Sequence, residues 1–310
     1  MPYKEKQFLT YDDQIALLKK RGMSVSDEKH AKLVLEQIGY YELVNGYKTI
    51  FKNENGSGYL PGTTFDELLA LYKYDENLRQ LFFKYMLRIE IHMRSLLAYA
   101  FTERFGAQQS AYLTRDNYDV GGKHANEINR LIGELDYAAN RADKAVYVRH
   151  HRERYGNVPL WVLFKTLSIG TLVRFLRCCI PEIRADVASH FPDLREGTLC
   201  RMLDLMQDFR NVCAHNDCLY SYHSPDAIPM MPAVRALSGI GHRTDFCGCD
   251  LFALLVVFRY LLEDADFVRC TDAVSRIMEH FQSQCNTVGP EKLLDAMGFP
   301  ADWQSLPRPM

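Results

Sequence analysis

Leu199-Cys200-Arg201-Met202-Leu203-Asp204-Leu205-Met206-Gln207-Asp208-Phe209 runs directly into Arg210-Asn211-Val212-Cys213-Ala214-His215-Asn216. In the first stretch Leu199, Met202, Leu203, Leu205, Met206 and Phe209 recur at helical spacing, while Arg201, Asp204, Gln207 and Asp208 fill the other face. The polar heptad is therefore carried on a buried helix, and the fold is read as helical around it. On a continued helix Arg210 and His215 lie about 140° apart around the axis. Asn211 and His215, at i and i+4, stack on one stripe. A long cation beside an Asn–His pair has the makings of a phosphate site, with a fixed charge, an amide that orients and an imidazole that titrates near neutral pH.

Spacing alone is a weak signal. With 23 Arg and 10 His among 310 residues, roughly 0.7 matches to an Arg followed five residues later by a His arise by chance. The fuller string is more specific, because Asn follows the Arg, small residues precede the His, and the whole sits at the end of an apolar helix.

Working outward, helices are expected from Thr10 to Lys20 with Gly22 beyond, and from Ser26, with Asp27 and Glu28 in the first turn, to Ile38. Tyr47–Phe51 and Tyr59-Leu60-Pro61-Gly62 flank a Gly/Asn-rich stretch and form the only plausible strand pair. Thr64 caps a helix whose pattern continues to Phe105, long enough to predict a kink near Asp75–Leu78. Asp75–Arg79 and Glu90–Arg94 are i,i+4 acid–base pairs within it, read as supporting residues that position the motif helix. Another amphipathic helix spans Lys123 to Ala142. The cations Arg141, Lys144, Arg149, Arg152 and Arg154 follow, interleaved with Tyr147 and Tyr155, and make the best RNA-backbone candidate in the chain. Val158-Pro159 opens a helix in which Trp161 reads as a core anchor, and Pro181 ends the helix Leu172–Ile180. Tyr222–Gly241 reads as a linker or long loop, and helices at Leu251–Leu262, Phe267–Phe281 and after Pro290 complete the chain.

Composition sets the outer bounds. The hydrophobic fraction is 47% and the charged fraction 25%, as in an ordinary soluble protein, and the net charge of −2 gives no global field favouring nucleic acid. Nine cysteines and a polar start, Met1–Lys6, predict a reducing cytoplasm. The longest apolar run, Leu251–Phe258, is too short to cross a membrane. Cys247-Gly248-Cys249 near His242 lacks the paired spacing of a structural zinc site, and no phosphate-binding or dinucleotide loop occurs, so neither metal nor cofactor is expected.

With these residues in place, the chain resembles the abortive-infection Abi proteins of the AbiD/AbiF-like group, within the HEPN superfamily of helical ribonucleases. The resemblance rests on Arg210-Asn211-Val212-Cys213-Ala214-His215, and on Ile38–Tyr47, Leu71–Arg79, Ile89–Arg94, Pro159–Val162 and Ser168-Ile169-Gly170 in the same order, over roughly residues 8–222. One departure follows the motif, where Asn216-Asp217-Cys218-Leu219-Tyr220-Ser221 stands in place of a second His and an Arg-Leu-Trp-Asn-like run.

The resemblance implies an all-α HEPN-like bundle with added helices and at most one small hairpin near residues 47–60. Residues 1–225 are expected to form the bundle, with 226–310 a C-terminal helical extension packed on it. It implies a metal-independent endoribonuclease of an antiviral or toxin-like system, with Arg210, His215 and Asn211 as the catalytic set. RNA is the implied partner, as substrate and as a regulatory non-coding RNA, together with a homodimer that joins two motifs at a two-fold interface. The rival reading is a non-catalytic RNA-binding or interaction protein. In it the motif is a structural lock, with Arg210 paired to Asp208 or Asp217 and with Asn211 and His215 bonded to backbone carbonyls.

Overall fold

No proline or glycine interrupts the chain between residues 65 and 105, and in the computed structural model this stretch is one unbroken helix. The structure describes residues 8–53, 55–56, 58–142, 145–237, 246 and 248–308. In chain order the helices are α1 (Tyr11–Lys20), α2 (Glu28–Ile38), α3 (Phe65–Phe105), α4 (Gln109–Leu113), α5 (Ala125–Asp136), α6 (Val146–Tyr155) and α7 (Leu160–Leu163). They continue with α8 (Ile169–Cys178), α9 (Pro181–Ser189), α10 (Glu196–His215), α11 (Pro232–Arg235), α12 (Leu251–Leu261), α13 (Asp264–Gln284) and α14 (Pro290–Met297). The described residues contain no strand. The hairpin expected near residues 47–60 is reduced to one antiparallel bridge, Lys52 with Tyr59. Lys48–Phe51 winds instead into a 3-10 turn that buries Ile50 and Phe51.

α3 is the axis of the molecule. Thr64 opens it with a capping box, in which the Thr64 hydroxyl accepts from the Glu67 amide and Glu67 accepts from the Thr64 amide. Gly106, at φ 88, lets the chain leave the far end in a conformation other residues resist. The kink expected near Asp75–Leu78 does not interrupt the helix: both residues face the core, and Asp75 finds its partners there. α7, α9, α10 and α13 pack on α3, and α10 is held in turn by α8, α9 and α12. α12 is buried along its whole length, as its continuous apolar run requires. One continuous core runs from Ile15 to Leu306.

Three local readings change. Pro181, expected to be a terminator, is the first residue of α9, where its missing N–H costs nothing and its fixed φ suits a helix start. The Tyr222–Gly241 stretch is not a solvated linker in its described part. Ile228, Met231, Ala233, Val234 and Leu237 are buried and α11 forms within it, while residues 238–245 lie outside the described residues. Trp161 is not a core anchor: Leu160 and Leu163 take the inward positions of the short α7, and Phe164 is buried in the 3-10 turn after it, leaving Trp161 50% exposed. No helix among the described residues is long and apolar enough to cross a membrane.

Glu67 ties the start of α3 to the loop after α13. Besides capping α3, its carboxylate accepts from the amides of Asn286 (2.7 Å) and Thr287 (3.0 Å) and from the Thr287 hydroxyl (3.0 Å), in the loop between α13 and α14. Burial alone would raise its pKa, but the amides of Thr64, Asn286 and Thr287 outweigh it and hold the carboxyl below its ordinary value. The stabilisation from a depressed carboxyl is present above the unfolded-state value and lost as pH falls through the folded one. Glu67→Gln should therefore cost about 2 kcal/mol in urea unfolding at pH 7, the scale of bonds to a charged group. That deficit should shrink as both proteins are taken below pH 4.

Candidate functional site

Phe209 buries against the core, and the next two turns of α10 carry the motif out to the surface. Val212 is buried, Cys213 half-buried, and Asn211, Ala214 and His215 are exposed. The helix ends at Asn216, in the left-handed region at φ 62, with Asp217 N–H donating to the Val212 carbonyl (3.0 Å) and Asn216 N–H to Cys213 (3.4 Å). This is the Schellman arrangement, and among side-chain-bearing residues Asn is the one that accepts this conformation most readily.

The turn beyond the motif is fixed from below. Asp75, on α3 and fully buried, accepts from the amides of Leu219 (2.9 Å) and Tyr220 (2.6 Å), from the Tyr47 hydroxyl (2.8 Å) and from Arg79. Arg79 also donates to the Tyr47 hydroxyl (2.8 Å) and the Asp217 carbonyl (3.3 Å). Burial pushes the Asp75 carboxyl above its ordinary range, and Arg79, the two amides and the Tyr47 hydroxyl pull it back. With four donors on two oxygens and no exposure to solvent, Asp75 has no face to offer a substrate; it positions. Tyr220 stacks on Tyr47 at 6.1 Å between ring centroids. The chain then folds back along α10, with Tyr222 against Phe209 (5.2 Å) and the Ser224 hydroxyl donating to Asp208 (2.6 Å).

The second acid–base pair works from the other side. Arg94, bonded to the buried Glu90, donates to the Leu167 carbonyl (2.9 Å) just before α8. There Gly170 lies so close to α10 that a Cβ added to it would come 3.0 Å from the Gln207 side chain. Gln207 is one turn before Arg210 and Asn211. Asp75–Arg79 and Glu90–Arg94 thus both brace the motif helix from α3, one through the turn after α10 and the other through the turn before α8.

Within the motif, the Arg210 guanidinium lies over the Phe83 ring, 5.6 Å from its centroid, and its Nε is buried without a hydrogen-bond partner. Among the described residues no hydrogen bond or ion pair engages the side chains of Arg210, Asn211 or His215. Asp208 is taken by Ser224 instead. An aromatic face steers a guanidinium without consuming its donors, so the planar fork stays available to a phosphate. Cys213 is not a nucleophile: burial, with Asp75 adding to it, pushes its thiol up to about 12, so it stays protonated at neutral pH.

The cationic stretch is divided by the structure. Arg141 pairs with Asp136 (3.4 Å) in the π-helical turn Tyr137–Arg141 after α5. Arg152 donates to the Ala139 carbonyl (3.1 Å) and so serves the fold. Arg149 and Arg154 are exposed on α6, and Lys144 lies outside the described residues, as do Cys247 and His242. Among the described residues no three His, Cys, Asp or Glu side chains gather to hold a metal ion.

Four partners escaped the sequence reading: Tyr47, Phe83, and the amides of Leu219 and Tyr220. The signal for the first set was present, since Asp75 occupies the inward stripe Leu71, Asp75, Leu78, Phe82, where an acid demands buried donors. Nothing in the sequence marks Phe83 as the platform for Arg210.

The family model described as Abi-like protein matches residues 33–221, more than half of the chain. No curated protein and no solved structure matches.

Removing one partner of a buried, hydrogen-bonded pair costs about 3–5 kcal/mol, so Asp75→Asn should lower unfolding free energy by that amount. Tyr47→Phe, which deletes one bond, should cost about 1–2 kcal/mol. Hydrogen exchange reads the same claim locally: the Leu219 and Tyr220 amides should exchange much faster in Asp75→Asn, with α1 amides unchanged.

Proposed function

The chain belongs to the Abi-like protein family, and from that premise we propose that it is an abortive-infection endoribonuclease of the HEPN kind, cutting RNA without a metal. The observation that carries this reading is the state of the motif: Arg210 held over Phe83 with no carboxylate partner among the described residues, beside an exposed Asn211 and His215. A structural lock would consume these groups, whereas a phosphate site leaves them open.

RNA brings its own nucleophile. His215 takes the proton of a 2′-hydroxyl, whose oxygen attacks the adjacent phosphorus as the bond to the 5′-oxygen breaks. Arg210 neutralises the charge that builds on the phosphoryl oxygens, and Asn211 orients one of the reacting groups. The leaving 5′-oxygen needs a proton from a second imidazole, which a two-fold dimer supplies as His215 of the partner subunit. The products are a 2′,3′-cyclic phosphate and a 5′-hydroxyl. A surface for that dimer begins at Arg210 itself. Phe83, Leu87 and Ile91 follow one another at i, i+4 and i+8 on α3, and Ile91 is 64% exposed. Arg149 and Arg154, exposed on α6, are the proposed contacts to the RNA backbone. The regulatory RNA that the resemblance implies would use the same cations.

Incubating the purified protein with total cellular RNA and mapping the cleaved ends tests the reading. The wild type should leave cyclic phosphates and 5′-hydroxyls, and chelator should leave the rate unchanged. His215→Ala and Arg210→Ala should each lose at least about 100-fold in rate, as removal of a general base or a charge-stabilising donor does, with unfolding midpoints unaltered. Mixing the two variants should give activity different from either alone. A folded His215→Ala protein that cuts at the wild-type rate would overturn the assignment.

A further inference from the structure

Beyond the motif, the region around α6 and α7 exposes three large aromatic rings where a folded chain gains by burying them: Trp161, Tyr147 and Tyr155. Trp161 and Tyr155 are 50% and 59% exposed. Each tyrosine carries a cation: Lys165 lies 4.7 Å from the Tyr147 ring centroid, and Arg154 lies 5.7 Å from that of Tyr155. His150 and His151 pack against Tyr155 at 5.8 and 5.3 Å and hold its ring in place. Among the described residues none of Arg149, Arg154 and Lys165 has a carboxylate partner, and Glu153 is the one acid on α6. α6 packs on both α7 and the π-helical turn before it, and Lys165, four residues beyond Trp161, reaches across to the Tyr147 ring of α6.

Resting on the RNA reading above, we infer that this α6–α7 surface grips unpaired nucleotides: bases stack on Trp161, Tyr147 and Tyr155, while Arg149, Arg154 and Lys165 hold the intervening phosphates. The alternation of ring and cation fits a single strand, which offers a π-face and a charge at every nucleotide. A duplex would satisfy the cations alone, because its bases are already stacked on one another, and an acidic peptide would leave the rings without partners of matching shape. The surface is also coupled to the motif. From Lys165 the chain reaches Leu167, pinned by Arg94, and then Gly170 against Gln207 of α10. A strand seated here is therefore held by a rigid piece of chain that braces the helix bearing Arg210 and His215.

The test uses full-length His215→Ala protein, so that the probe stays intact, with a labelled 12-nucleotide oligouridylate and a 12-base-pair RNA duplex. By fluorescence anisotropy the single strand should bind at least ten-fold more tightly than the duplex. The chain has 2 Trp and the other, Trp303, is buried, so oligouridylate should quench the emission of Trp161, and Trp161→Phe should abolish the quench. Trp161→Ala should weaken single-strand binding by about 5- to 150-fold, the range for removing one base stack, and Trp161→Phe far less. Arg149→Glu with Arg154→Glu should flatten the slope of log Kd against log salt by at least about 0.7 for each phosphate no longer neutralised.

Equal binding of duplex and single strand, or an absent quench together with wild-type affinity in Trp161→Ala, would overturn the inference. Cleavage of total RNA that depends on His215 while Trp161→Ala binds normally would remove the surface and leave the nuclease standing. Single-strand binding as described, with no cleavage by the wild-type protein, would support the surface and remove the nuclease.

Discussion

A single buried carboxylate fixes where the motif helix ends. Placing an unpaired Asp75 in the core of α3 would be costly, because a charge removed from water must recover its hydration from protein groups. Here the recovery comes from Arg79 and Tyr47 and from two backbone amides more than 140 residues away in sequence, those of Leu219 and Tyr220. The penalty for leaving the acid unsatisfied becomes a positional constraint. The chain beyond His215 must return to α3 at one place, and with it the last turn of α10 is set. Glu67 repeats the device at the start of α3, where it fastens the loop after α13. Glu90 acts through Arg94 on the turn before α8. Three acids buried on one long helix thus hold three distant segments in register.

Against that fixed frame the side chains of Arg210, Asn211 and His215 are left unbonded among the described residues. Arg210 is steered by dispersion and the quadrupole of Phe83 rather than by a carboxylate, so its charge is oriented yet not neutralised. The acid just before it in the chain, Asp208, is occupied by Ser224. Rigidity below and open donors above are what electrostatic preorganisation of a phosphate site requires.

The helices were legible because their periodicity is long and their caps are explicit. Thr10 and Thr64 accept from amides in the first turn, as their positions imply, while Asp27 rather than Ser26 caps α2, and Ser168 caps α8. What misled was local chemistry with two meanings. Pro181 serves equally as a stop or as a first helical residue, and the missing N–H fits both. The run with strand-like residues at Tyr47–Phe51 winds into a 3-10 turn over Lys48–Phe51, with Tyr47 just before it turned inward to Asp75. Trp161 looked like a core residue by type, yet a four-residue helix has room for few inward positions and its neighbours took them. At the site, the pairs Asp75–Arg79 and Glu90–Arg94 were visible as spacing. Their true partners were not, since a carboxylate reaching backbone amides across the fold leaves no pattern in side-chain identity.

The claim on which the account turns is that this helix end directs a ribose 2′-hydroxyl onto the neighbouring phosphate. The most direct measurement compares, with the same wild-type preparation, cleavage of a random-sequence 20-nucleotide RNA pool and of the identical pool carrying 2′-O-methyl ribose throughout. The account predicts that the unmodified pool is cut and the methylated pool is left whole, because no proton remains for His215 to take. Cleavage of both pools, or of neither, would contradict it.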